Sequence, residues 1–239
     1  MNHDYADLKI RAVNGWRHGA RREVPHFALS MAERQELARL AQIMDIKAAS
    51  ARIFTQGGAA AHSYLLARGL VRISYMMPDG ARQIVAFNWP GDLFGMAEEG
   101  HYVHTAETIT PSRLYCFPTQ KLEQFLLENP KIQDRFLIKI THDLRQTQRQ
   151  LIVMGRLDVP RRLAAFLLDC AAHEAYFEAA SFTLNVPMSR YDIADYLGTS
   201  VETVTRALTK FTEQGVVRRL SPRKLVLSTP RLRQIAGLS

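Results

Sequence analysis

The chain has 239 residues, 47% hydrophobic and 23% charged, and carries a net charge of +8 from 31 basic and 23 acidic side chains. That length suits two domains with a substantial core. No run of about 18 apolar residues occurs, which excludes a membrane-spanning helix. The first residues lack the apolar stretch of a secretory signal, so a cytoplasmic location with no membrane partner is expected. From Arg156 onward 12 basic residues stand against 8 acidic ones, an excess that suits a phosphate-backbone partner.

Residues 1–28 show little periodicity and read as an N-terminal arm. Ser30 then caps a helix running to about Ile43, with Leu37, Leu40 and Ile43 or Met44 on one face. From Ile46 to Phe117 the pattern changes to short strands. ARIFTQ ends at Gly57-Gly58, SYLLAR at Gly69, LVRISYMM at Pro78-Asp79-Gly80 and RQIVAFN at Pro90-Gly91-Asp92, before AETITPSRLYCFP closes the series. Strands this short with turns this regular predict an antiparallel β-roll or barrel within a domain over 29–118.

A helical segment over 119–157 follows, interrupted near Asn129-Pro130. Within it Leu137, Ile140, Leu144, Thr147, Leu151 and Met154 recur in steps of three and four, a heptad seam. A helix lying on its own domain would show a wider apolar stripe. The polar flanks Asp143, Arg145, Gln146, Gln148, Arg149 and Gln150 favour contact between two identical subunits, so a homodimer is expected. Val159-Pro160 marks a hinge, and RRLAAFLLDCAAHEAYF opens another amphipathic helix at the start of a C-terminal domain, 158–239.

Residues 188–211 carry the strongest signal: two short amphipathic helices joined at Gly198, a helix-turn-helix. Ser189 precedes Asp192 by three residues and Thr199 precedes Glu202 by three, so each helix opens with a capping-box pattern. Glu202, Thr205 and Arg206 share the first turns of the second helix, where a recognition helix meets base edges in the major groove. Glu202 can accept from a cytosine amino group, Arg206 can donate in parallel to guanine O6 and N7, and the Thr205 methyl suits a thymine methyl. Four residues apart, Glu202 and Arg206 can also brace each other as an ion pair. Beyond them GVVRRL and LVLST flank Ser221-Pro222-Arg223-Lys224, two strands and a basic turn that make a wing.

This α+β order of roll, long dimerisation helix and winged helix-turn-helix resembles the CRP/FNR superfamily of bacterial transcription regulators. PGDLFGM, the LIVMGRL-to-AAFLLD passage and PMSRYDIADYLGTSVETVTRAL carry the resemblance, and the last, with HTAETIT, is most similar to the FixK-like branch. The family's glutamate, two residues, serine or threonine, then arginine matches Glu202, Thr205 and Arg206 position by position. Val201 stands where the cyclic-AMP receptor branch has a second base-reading arginine, which implies a TTGAT-type half-site in an inverted repeat. The resemblance also assigns Ser189, Arg190, Ser200 and Thr203 to DNA phosphates, and Lys210, Arg223 and Lys224 are further candidates. RNA polymerase is the implied second partner, with the loop around Arg82 and the surface near Glu174 and Glu178 as candidate contacts.

The cyclic-nucleotide branch clamps its ligand's phosphate with an arginine; here Gly91 and Gly95 are kept but His104 stands at the arginine's place. An FNR-type iron–sulphur cluster needs four thiolates, and Cys116 and Cys170 are the whole supply. Both sit in apolar surroundings and read as buried thiols, although oxidation of Cys170 would disturb the helix leading to the reading head. His101 and His104, with His62 near, have a spacing that suits a metal or haem iron, but on a strand that spacing points to opposite faces, so turn histidines are expected. No cofactor or metal is therefore expected, and no nucleophile-elbow, P-loop or zinc-protease motif suggests an enzyme. The FixK-like reading implies an effector-free activator in oxygen- or nitrogen-oxide-linked gene control. The alternatives are a haem-, nucleotide- or redox-dependent sensor of the same superfamily, or an architectural DNA-binding protein of low specificity.

Overall fold

The computed structural model describes residues 7–10, 29–97 and 99–237, so most of the expected arm and Glu98 lie outside the described residues. The chain divides inside its longest helix, between Leu144 and Arg145, into two compact units.

The first unit begins with α1 (Met31–Leu40), closed by a full capping box: Glu33 N–H donates to Ser30 Oγ, and Ser30 N–H donates to the Glu33 carboxylate at 2.6 Å. The helix stops at Leu40, short of the expected Ile43. Residues Gln42–Ile46 form β1 instead, paired antiparallel with β8 (Ser112–Pro118). Period two wins over the helical period here because each face has its own core to reach. Ile43 packs into one hydrophobic cluster and Met44 into the other.

The remaining roll strands are β2 (Arg52–Phe54), β3 (His62–Arg68), β4 (Val71–Met76), β5 (Arg82–Asn88), β6 (Leu93–Phe94) and β7 (Thr105–Thr108). They form two four-stranded sheets ordered β1-β8-β3-β6 and β2-β7-β4-β5, all pairs antiparallel. The first sheet is buried on both faces. Tyr64, Leu66, Leu114 and Cys116 point into the space between the sheets. Leu65, Ala67, Tyr115 and Phe117 point the other way, onto a second cluster with Leu37, Leu122, Ile132 and Phe136. Leu8 and Ile10 belong to that second cluster, and the Tyr115 hydroxyl donates to Asp7, so this part of the expected arm is built into the core.

Helix α2 (Thr119–Glu128) and helix α3 (Pro130–Arg156) are separated at Asn129, where the following proline disfavours helical backbone. Lys139 on α3 is buried, and its ammonium is held by Asp92 at 3.0 Å and Asp143 at 2.6 Å.

In the second unit α4 (Val159–Cys170) starts from Asp158, whose carboxylate accepts from Arg161 N–H, with Pro160 in the first turn. The helix ends at Cys170 rather than continuing through AAHEAYF, which instead turns into β9 (Phe177–Glu178). β10 (Thr183–Asn185), β11 (Val217–Ser221) and β12 (Lys224–Leu227) complete a sheet ordered β11-β12-β10-β9, so the expected two-stranded wing is half of a four-stranded sheet. Helices α5 (Arg190–Leu197), α6 (Val201–Glu213) and α7 (Thr229–Ala236) finish the unit, with α7 packed on α4.

Candidate nucleic-acid interface

The first helix of the pair, α5, is fixed at its start by reciprocal bonds: Asp192 N–H donates to Ser189 Oγ at 3.0 Å, and Ser189 N–H returns to Asp192 Oδ2 at 3.0 Å. It ends at Gly198, which has φ 61° and ψ 49°, a conformation that costs a residue with a side chain. A Cβ there would also lie 2.8 Å from the Met154 methyl.

The second cap departs from expectation. Ser200, not Thr199, caps α6, accepting from Thr203 N–H at 3.2 Å. Thr199 is committed to the preceding helix, since its N–H donates to Ala194 O. Val204, Ala207, Leu208 and Phe211 bury one side of α6, while Glu202, Thr205, Arg206 and Lys210 are exposed.

The exposed turn has a defined chemistry. Glu202 is held below the usual carboxylate range by its own backbone N–H at the helix start, then by the Ser200 hydroxyl and the Arg206 charge, so it is an anionic acceptor at neutral pH. Arg206 Nη2 leans on Thr203 Oγ1 at 3.2 Å, so the expected brace with Glu202 acts through space. Thr205 Oγ1 donates to Val201 O at 2.8 Å, which leaves its methyl as its main offering to a base. Ser200 and Thr203 hydroxyls lie 3.0 Å apart within the cap.

Arg190, at the first position of α5, is half-buried and its Nη2 lies 3.4 Å from Pro222 O in the wing turn. Burial and then the nearby Arg219 guanidinium weaken its hold on its proton. The backbone N–H groups of Arg223 and Lys224 both donate to Ser221 Oγ, which shapes the turn, and their side chains are exposed. Lys224 opens β12 rather than sitting in the turn. Sequence reasoning passed over Arg218 and Arg219, exposed on β11, and Tyr191, exposed beside Arg190. The doubled arginine in GVVRRL was their one visible signal.

On α3, Leu137, Ile140, Leu144 and Leu151 are 43–68% exposed, and Thr147 is exposed with them. Ile138 and Ile152 widen that apolar stripe. Met154 differs: it is half-buried, with its methyl against Gly198. The opposite side of α3 carries Ile132 and Phe136 into its own core, so the helix is buried along one side and exposes an apolar stripe along the other.

In the roll, a cavity of about 400 Å³ is lined by Arg52, Gln56, Ser74, Arg82, Thr105 and Glu107. A Cβ on Gly95 would lie 2.9 Å from the Tyr64 ring and 3.2 Å from the Phe54 ring, so aromatic side chains crowd the kept glycine. His104 is edge-on to Tyr75, and burial depresses its pKa. No cluster of three or more metal-ligating side chains occurs among the described residues, and His101 Nδ1 lies 3.3 Å from Glu99 O. Cys116 and Cys170 are buried free thiols whose pKa values burial raises, an environment that disfavours the reactive thiolate. No helix among the described residues is long and apolar enough to cross a membrane.

Residues 161–235 match a model of the Crp-like helix-turn-helix domain, and residues 48–129 match one of the cyclic nucleotide-binding domain. The chain is 32% identical over 190 residues to the nitrogen fixation regulation protein FixK of Bradyrhizobium diazoefficiens, covering 80% of each. It is 33% identical over 189 residues to the transcriptional activatory protein AadR of Rhodopseudomonas palustris, covering 79% of each. Among solved structures, FixK2 from Bradyrhizobium japonicum superposes with a TM-score of 0.75 at 29% identity, over 82% of this chain and 96% of that one.

Proposed function

The chain belongs to the CRP/FNR family of DNA-binding transcription regulators, and from that premise we propose that it is a FixK-like activator that binds an inverted repeat as a homodimer and needs no bound effector. The observation that carries this reading is the exposed first face of α6, where an anionic Glu202 and a guanidinium at Arg206 stand free of any buried role. Glu202, Thr205 and Arg206 read bases. Ser189, Arg190, Ser200, Thr203, Lys210, Arg223 and Lys224 hold phosphates and set register. Leu137, Ile140, Leu144, Thr147 and Leu151 pair with the same residues of a second copy, an arrangement that would bring two α6 helices about 34–36 Å apart, one turn of duplex. The crowding at Gly95 and the neutral His104 support activity without cyclic nucleotide. Its targets are oxygen- or nitrogen-oxide-linked promoters, where it acts with RNA polymerase.

The test is fluorescence anisotropy with purified, ligand-stripped protein on a palindrome with TTGAT-type arms and on scrambled duplex. The expected preference is about a thousandfold or more at physiological salt. Equal affinity for both duplexes would point to an architectural protein. A strict need for added cyclic nucleotide, haem or oxidant would replace the effector-free form with a sensor.

A further inference from the structure

Arg162, in the first turns of α4, is half-buried and spends its whole fork on main-chain carbonyls. Nη2 donates to Met154 O at 2.7 Å, Nε to Leu157 O at 2.8 Å and Nη1 to Leu197 O at 3.0 Å. Met154 lies in the last turn of α3, Leu157 directly follows that helix, and Leu197 is the last residue of α5. Carbonyls at helix ends lack donors of their own and carry the negative end of the helix dipole, so a single planar cation satisfies two helix ends at once.

Two further contacts act in the same place. The Met154 methyl lies against Gly198, the residue that turns α5 into α6. Arg149 on α3 donates to Asp169 near the end of α4 at 3.1 Å. The last turns of α3 are thus joined to α4, to the end of α5 and to the turn that aims α6.

We propose that Arg162, with Met154 seated on Gly198, is a clasp that fixes the direction of α6 against the end of α3 and thereby sets which spacing of operator arms the protein accepts. This rests on the reading above, in which α3 pairs two copies and α6 reads DNA. A head free to swivel at Leu157-Asp158 would meet the second arm at many spacings and favour none. A clasped head presents the second helix at a high effective concentration for one spacing. Arg162 is a positioning residue in this account, and Met154 acts toward its own head rather than toward a second copy.

The experiment compares full-length wild type, Arg162→Ala and Arg162→Lys on duplexes carrying a single arm, two arms at the preferred spacing, and two arms moved by one or two base pairs. Near-UV circular dichroism checks folding. For Arg162→Ala the expected result is a loss of roughly tenfold at the preferred spacing, a flat spacing profile, and single-arm affinity within about twofold of wild type. Lysine keeps the charge but cannot reach three carbonyls, so Arg162→Lys should show a broadened profile, and it decides the matter if the alanine variant does not fold. A wild-type spacing profile in the folded variants would overturn the clasp while leaving DNA reading intact. A wild-type protein that ignores arm sequence altogether would instead bring down the underlying reading, and the clasp with it.

Discussion

In the roll, the strands turn aromatic rings toward one another: Phe54 stacks on Tyr102 at 3.9 Å, and Tyr64 lies 5.5 Å from Phe94 and 5.6 Å from Phe54. In the reading head, α6 hides Val204, Ala207, Leu208 and Phe211 and turns carboxylate, hydroxyl and guanidinium groups outward. Both units keep the architecture of their family, and each turns a different chemistry inward: stacked rings in the roll, aliphatic side chains and one phenyl ring behind α6. Architecture and site chemistry are separable, and the polar groups decide what a fold can do. The head turns its polar groups outward on one helix, whereas the roll gathers Arg52, Gln56, Arg82 and Glu107 around a cavity of about 400 Å³ beside its stacked rings.

The largest effect that would break this contrast is in the head. Arg206→Ala should cost about 1–3 kcal/mol of discrimination at one guanine, with little change on random DNA, as read by competition binding. If the variant lost affinity equally on both duplexes, Arg206 would be a backbone contact. The roll offers the matching experiment. Gly95→Ala places a Cβ against Tyr64 at a positive φ and should lower thermal stability by about 1–3 kcal/mol. Base discrimination by the folded fraction should stay unchanged, whereas altered discrimination would mean that the roll interior reports to the head.

Much of the head was legible because its signals are local. The Ser189–Asp192 box, the left-handed Gly198 and the apolar spacing of α6 each lie within a few residues of one another. The second cap was misplaced by one residue because Thr199 and Ser200 are chemically equivalent caps, and only the bond from Thr203 N–H to Ser200 Oγ, with Thr199 N–H still closing the preceding helix, shows where α6 begins. The roll's turns were equally plain, but β1 was not. QIMDI reads as the tail of a helix until its pairing with β8, remote in sequence, gives Ile43 and Met44 opposite cores. Residues 171–177 failed similarly: the alanines of AAHEAYF favour helix, yet Phe177 pairs with Leu184. Arg162 was invisible, since nothing in PRRLAAF says that one guanidinium will meet the ends of two other helices.

Smaller effects sharpen the picture. Ser200→Ala removes the cap of α6 and should cost about 1 kcal/mol of stability, read from chemical denaturation. A change well below that would mean the hydroxyl's chief duty is a phosphate. Arg190→Ala should weaken specific and random DNA alike and lower the slope of log affinity against log salt by about 1. A loss confined to the specific site would move Arg190 among the base readers. Cyclic AMP added in millimolar excess should leave operator affinity unaltered.

The central claim is that this protein reads base sequence in the absence of any bound small molecule. Sequencing the duplexes that purified, ligand-stripped protein captures from a fully randomised pool tests it most directly. The account predicts enrichment of an inverted repeat with TTGAT-type arms spaced one turn apart. Capture without sequence preference, or enrichment that emerges only once a cyclic nucleotide is supplied, would contradict it.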